Sequence, residues 1–295
     1  MILIGENLNV MSKTIKPAMR ERDPEPIREL ARSQTEAGVH YIDVNLGPAR
    51  KGGAELMEWM VHTIQEVTDL PLFLDTTNVQ AIEAGLRAYE DRRGKAVINS
   101  VSARPERMEA LLPVAARHGA GIVALLLGVE GIPRDAAERG ANAADLLYHA
   151  TQAGIQEEDI WFDPIVLPVN SQQDQVRGCT EFMMMFRDIA PGCKSTCGLS
   201  NVSNGAPPEL RPILNRTYFM ILRKYGLDSA IIDAFDEEIA AIGRGTRREL
   251  EALVGRVMDG EEFSFDGLSQ REIDYVKTAR VLRGDSLYSD SWLQL

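Results

Sequence analysis

Carboxylates and carboxamides recur in this sequence at one kind of position, the end of a short apolar run. Glu6, Asn7 and Asn9 follow ILIG (2–5), and Asp43 and Asn45 lie in YIDVNLG (41–47). Asp75 closes PLFLD (71–75) and Thr76 follows it; Asn99 and Ser100 close KAVINS (95–100). GIVALLLG (121–128) ends in Gly128, IWFDP (160–164) carries Asp163 with Asn170 further on, KSTCGL (194–199) is followed by Ser200 and Asn201, and AIIDA (230–234) carries Asp233. One Asp or Asn after a strand is ordinarily a cap or turn residue. Its repetition from run to run points instead to a ring of hydrogen-bonding groups. Such a ring suits a flat, neutral ligand rich in donors and acceptors. A pterin is one: its 2-amino and N3–H groups form a donor fork that a carboxylate accepts in parallel, and carboxamides serve the mixed edge beside it.

What the ring lacks narrows the chemistry. His40 begins a strand, at the opposite end, while His62, His118 and His149 fall in or at the ends of helical patterns. Cys193 and Cys197 begin the seventh run and Cys179 lies in a helix. Zinc needs imidazole or thiolate ligands converging on one point, which this spacing does not provide. No catalytic metal, and hence no zinc-activated thiol acceptor, is expected. Lys194 starts its strand, so no Schiff-base lysine stands at a strand end, and no GxSxG elbow is present.

Eight β-branched and aromatic runs bounded by Gly or Pro read as strands. Helical patterns alternate with them. Asp23 before Pro24 is an N-cap followed by proline at the first helical position. Thr77-Asn78-Val79-Gln80 has capping-box spacing, and 54–67 and 209–226 carry apolar residues at three-and-four spacing. The alternation predicts an α/β (β/α)8 TIM barrel, whose active site lies at the C-terminal strand ends. An open doubly wound sheet is the alternative, but GENLNV after the first strand is not a glycine-rich dinucleotide loop. Even spacing predicts one barrel over residues 1–258. Residues 259–295 form an added C-terminal helical extension, in which Ser269 to Glu272 is a capping box opening a helix to Gly284. It is expected to pack on the barrel or on another subunit.

The chain has 295 residues, 44% hydrophobic, with a formal net charge of −12. No basic stripe argues for nucleic acid, and AGIVALLLGV (120–129) is too short to span a membrane. MILIGENLNV lacks the features of a signal peptide. Three cysteines make no disulfide framework, so a reducing, cytoplasmic setting is expected.

The stretches LIGENLN, ERDPEPIRELARSQTEAG, IDVNLGP, LDTTNVQAIEAGL, INSVSA, WFDPIVLPVN, GLSNVSNG and LNRTYF run in order from residue 2 to about 240. Through them the chain resembles the methyltetrahydrofolate:corrinoid protein methyltransferases of the pterin-binding barrel superfamily. The resemblance implies a homodimer that moves the N5-methyl of methyltetrahydrofolate to Co(I) of a cobalamin-carrying corrinoid protein, or the reverse. It implies Asp75, Asn99 and Asp163 as ligands of the pterin ring and Asn201 as the residue that reaches N5. Gly5, Glu6, Asn7, Asn9, Asp43, Asn45 and Ser200 line the same mouth. Asn215 and Arg216 match a further motif, and Arg216 is a candidate for a folate-tail carboxylate or, equally, for a helix-surface ion pair. Small neighbours of Asn201 (Gly198, Ser200, Ser203 and Gly205) would let its loop swing toward a ligand. Two other readings stand beside this one. A dihydropteroate synthase carries a Ser-Arg-Lys stretch where this chain has Ser200-Asn201-Val202. A non-catalytic folate-binding protein would keep the ring without the transfer.

Overall fold

The computed structural model describes residues 1–262 and 264–294. Eight parallel strands are joined edge to edge: β1 (Ile2–Asn9), β2 (Tyr41–Gly47), β3 (Leu72–Thr76), β4 (Val97–Ser102), β5 (Gly121–Leu125), β6 (Ile160–Asp163), β7 (Lys194–Ser195) and β8 (Ser229–Ile232). From β1 to β7 each strand pairs with its neighbour in sequence, and β8 pairs with β1. The last seam, between β7 and β8, closes through a bridge from Gly198 to Ile231, with Ile231 N donating to Cys197 O at 2.8 Å. The Asp228 carboxylate reinforces it by accepting from Ser195 N at 2.8 Å. The expected (β/α)8 barrel is therefore the observed fold.

Helices α1 (Ile15–Glu21) and α2 (Pro24–Glu36) follow β1. Around the barrel come α3 (Gly53–Gln65), α4 (Val79–Ala88), α5 (Pro105–His118), α6 (Ala136–Gln152), α7 (Val169–Ile189), α8 (Arg211–Lys224), α9 (Glu237–Gly243), α10 (Arg248–Met258) and α11 (Gln270–Arg283). Side-chain oxygens at several N-termini satisfy orphan backbone donors. Asp23 accepts from Glu25 N with Pro24 in the first turn, and Ser269 and Glu272 form the expected capping box. At α4 the cap is Asn78 alone, accepting from Gln80 N and Ala81 N. Thr77 does not cap, because Asn78 already has the extended backbone that an N-cap needs.

Three strands depart from expectation by three residues or more, and the others by at most two at either end, because tertiary pairing at the rim sets where each strand ends. Strand β1 continues to Asn9 because Leu8 and Asn9 register with Val44 and Asn45. Strand β5 stops at Leu125, after which Leu127 N turns back to Leu125 O. Strand β7 shrinks to Lys194–Ser195, and the chain then winds into a 3-10 turn over Leu199–Ser203.

Two apolar cores result. The larger lies between strands and helices. The smaller plugs the barrel interior with Ile4, Phe73, Val97, Val123, Trp161 and Ile231. Tyr41, Phe73 and Trp161 meet edge to face with centroids 5.3–5.5 Å apart, a geometry that adds about 0.5–1.5 kcal/mol per pair to area burial. After residue 258, Tyr275, Val276, Ala279, Val281 and Leu282 of α11, with Trp292, join the larger core beside α7, α8 and α10.

Candidate active site

Strand alternation builds the site. Successive side chains face opposite sides of a strand, so residues two beyond the aromatic plug return to the barrel axis one layer higher. Tyr41 is followed by Asp43 and Asn45, Phe73 by Asp75, Val97 by Asn99 and Trp161 by Asp163; Ile4 is followed by Glu6 and Ile231 by Asp233. Register keeps the layer level: Asn45 stands beside Asp75 and Asp75 beside Asn99, while Asp163 stands beside Leu125. The apolar floor and the polar mouth are thus written into the same strands.

On the β2–β4 side the groups hold one another. Asn99 Nδ2 donates to Asp43 Oδ1 at 3.1 Å. Asn45 Nδ2 donates to Asp75 Oδ2, and Asn45 Oδ1 accepts from Gly47 N at 2.9 Å. Burial is the chief electrostatic force here. It raises Asp75 to about 7, and it pushes Asp43 well above the carboxylate range, assisted by the neighbouring Asp75 charge and opposed by the Asn99 bond. Two close carboxyls away from water cannot both ionise cheaply.

Across the mouth, Asp163 is also raised by burial, to about 6, against the bond from Ile165 N (2.8 Å) and the charge of Arg139. Ile165 has φ 66°, a costly conformation for a β-branched residue. Such strain persists where its surroundings over-determine it. Here Asp163 fixes Ile165 N, and the fully buried Arg139 donates from Nε to Pro164 O at 2.8 Å. The other two Arg139 bonds also go to neutral oxygens, Asp135 O and Gln175 Oε1. Thr196 adds a buried hydroxyl with no hydrogen-bond partner among the described residues. It lies two residues beyond Lys194, whose ammonium sits over Trp161.

At the β1–β8 side, Ser200 Oγ donates to Glu6 Oε2 at 3.0 Å. Glu6 is raised to about 7 by burial and by Asp233, with the Ser200 bond and the Arg211 charge opposing. Asn7 ties the seam, donating to Asp233 Oδ1 at 2.8 Å and accepting from Ala234 N at 3.0 Å. Asn9 accepts from Met11 N at 2.8 Å and serves the turn after β1.

Asn201 is exposed on the 3-10 turn. Its Oδ1 accepts from Asn204 Nδ2 at 3.1 Å, and its Nδ2 lies where a Cβ on Gly198 would stand 2.9 Å away. Glycine at 198 therefore makes room for the carboxamide. Gly205, at φ 79°, brings the chain against Asn170. Arg211 braces the turn, donating from Nε to Ser203 Oγ at 3.2 Å and from Nη2 to Asn204 Oδ1 at 3.3 Å. Arg216 is committed to Asp236, with Nε 3.1 Å from both carboxylate oxygens. The ion pair expected of it is present.

The histidines lie apart from this mouth. His40 Nδ1 accepts from Leu3 N at the other end of the barrel, and the rest are on α3, α5 and α6. All three cysteines are buried thiols. Cys197, expected away from the rim, lies past the end of β7 and feels the Asp163 carboxyl; burial holds its thiol well above the usual range. Arg139, Arg211 and Arg107, which donates to Thr77 O and Ser100 O, were not visible as site residues. Each reads locally as a surface cation on a helix.

The sequence profile described as pterin binding enzyme matches residues 5–233. The chain is 30% identical over 235 residues to the methylcorrinoid:tetrahydrofolate methyltransferase of Eubacterium limosum, covering 79% of this chain and 85% of that protein. It is 29% identical over 280 residues to the methionine synthase of Mycobacterium leprae, covering 91% of this chain but spanning only 23% of that protein. Among solved structures, dihydropteroate synthase from Thermus thermophilus superposes with a TM-score of 0.59 at 19% identity, over 82% of this chain and 93% of that one. That likeness concerns the fold alone.

Proposed function

The chain belongs to the pterin-binding enzyme family, among its folate–corrinoid methyltransferases, and from that premise we propose that it moves the N5-methyl group between methyltetrahydrofolate and the Co(I) centre of a corrinoid protein. The observation that carries the reading is the mouth itself. Buried and half-buried carboxyls and carboxamides stand over an aromatic floor, and desolvation raises Asp75 and Asp163. A pterin supplies what these groups lack, two parallel donors in a flat ring. Asp75 and Asp163 would accept from it, and Asn99 would meet its mixed edge while holding Asp43.

Transfer requires a nucleophile that the chain does not carry. Asp and Asn attack a methylamine poorly, and a buried thiol kept protonated is not a nucleophile. The corrinoid is therefore a second substrate, brought by a partner protein over the strand-end rim, where its Co(I) supplies the attacking electron pair. The protein's own contribution is to hold the pterin in line and to place Asn201 at N5. Its carboxamide donates to an unprotonated N5 or accepts from a protonated one. A polar group aimed where charge changes lowers the reaction barrier more than it tightens binding. By the same family reading the molecule is a homodimer working in the cytoplasm.

The test is to mix the protein with methyltetrahydrofolate, then add a reduced corrinoid protein. The reading expects the folate to bind and stay methylated alone. Tetrahydrofolate should then form in step with loss of the Co(I) absorption. Binding without transfer to any of a panel of reduced corrinoids would leave a folate-binding protein instead.

A further inference from the structure

We propose that Glu6 is the proton-holding positioning residue of this site, acting on the leaving amine through Ser200 and the turn that carries Asn201. The inference rests on the methyl-transfer reading and adds what that reading leaves open. When the methyl departs, the C–N electron pair stays on N5, and N5 must end with a proton. A carboxamide has no proton to give up near neutral pH.

The geometry points to one source. Glu6 stands on β1 directly above Ile4 of the apolar floor, and its Oε2 accepts from Ser200 Oγ at 3.0 Å. Ser200 is the residue before Asn201. The charged groups around Glu6 come from three other elements. Asp233 lies at the end of β8, and Arg211 opens α8 while bonded to Ser203 and Asn204 of the same turn. Asp43 on β2 feels Glu6 and is linked in turn to Asp75 on β3. Burial, with Asp233, raises Glu6 to about 7 against Ser200 and Arg211. A general acid works best with a pKa near the operating pH.

Protonated Glu6 donates to Ser200 Oγ, so the observed hydrogen bond reverses, and the Ser200 hydroxyl passes its own proton toward N5. The C–N bond breaks, its pair remains on N5, and the methyl bonds to the electron pair that Co(I) supplies. Tetrahydrofolate leaves with N5–H, and the Glu6 carboxylate regains a proton from solvent. In the reverse direction the Glu6 carboxylate accepts the proton.

Two measurements test this on the full chain. Calorimetry of methyltetrahydrofolate binding in buffers of different ionisation enthalpy reads the protons exchanged between pH 6 and 8. Glu6→Gln, which keeps the shape and an acceptor for Ser200, should lose part of that exchange while binding within about 5-fold of wild type. Single-turnover transfer to reduced corrinoid should fall about 10²-fold in Glu6→Gln and lose its inflection near 7. Ser200→Ala removes the hydroxyl that relays the proton, so it should slow transfer comparably and flatten the inflection. The proton exchange on binding should persist, moved upward in pH because the lost bond favours the ionised form. Unchanged proton exchange in Glu6→Gln overturns the proposal. So does a uniform fall in rate with the inflection intact, since that is what a purely structural role would produce. Lost proton exchange in Glu6→Gln where wild type transfers no methyl still supports Glu6 as the group that holds the proton, while the functional reading, and with it the step at the leaving amine, fails.

Discussion

The β2–β4 sector of the mouth and the β7–β8 sector contrast in how they hold their polar groups. In the first, Asp43, Asn45, Asp75 and Asn99 project from long, mutually registered strands and bond to one another. In the second, the strand gives out after two residues, and Asn201 rides exposed on a 3-10 turn braced by Glu6 and Arg211. Strand-borne groups are fixed by ladder bonds at every second residue. A turn held by a few side-chain bonds opens at much lower cost. The contrast suggests a division of labour: one sector recognises a flat ring, and the other delivers a polar group to its reactive edge.

The largest effect should follow from removing both Asp75 and Asp163, the carboxyls of β3 and β6 at the mouth. Each charge-assisted bond contributes about 1.5–3 kcal/mol. Asp75→Ala or Asp163→Ala should therefore weaken folate binding roughly 10- to 150-fold by calorimetry, and the double variant by well over 10²-fold. Unchanged affinity in both folded single variants would break the first half of the comparison. Gly198→Ala sharpens the second half. Its Cβ would press on the Asn201 carboxamide, so transfer should slow about 10-fold while affinity stays within a few fold.

A smaller effect comes from pH. Glu6 and Asp75 at about 7 and Asp163 at about 6 all lie above their ordinary values in the folded protein. A raised carboxyl favours the folded state at low pH, and that contribution is lost as pH rises through the folded value. The ligand-free protein should melt several degrees higher at pH 5 than at pH 8, and Asp75→Asn should reduce the difference. A midpoint that rises from pH 5 to 8 would show that these carboxyls are not held protonated. The smallest effects belong to groups outside both sectors. His→Gln at 40, 62, 118 and 149, or exhaustive chelation, should leave turnover within a few fold, and Arg216→Ala should leave folate affinity unchanged.

Much of the holding sector was legible in the sequence, because a strand period places Asp and Asn above aromatics two residues earlier. YIDVN, FLD and WFD each show floor and mouth in one run. The delivering sector was less so. KSTCGL has the composition of a strand, yet bridge geometry between β7 and β8 ends it after Ser195, which tertiary pairing decides and local pattern does not. Arg139 and Arg211 were invisible for a related reason. Each sits in a helical stretch that reads as solvent-facing, and only the packed chain brings Arg139 under Pro164 or Arg211 onto Ser203.

The division of labour is tested most directly by measuring folate affinity and saturating single-turnover rate together in Asn201→Ala and Asp75→Ala. The account expects Asn201→Ala to lose about 10²-fold in rate with affinity within a few fold, and Asp75→Ala to lose chiefly affinity. An Asn201→Ala protein that transfers methyl at the wild-type rate and merely binds folate more weakly would contradict it.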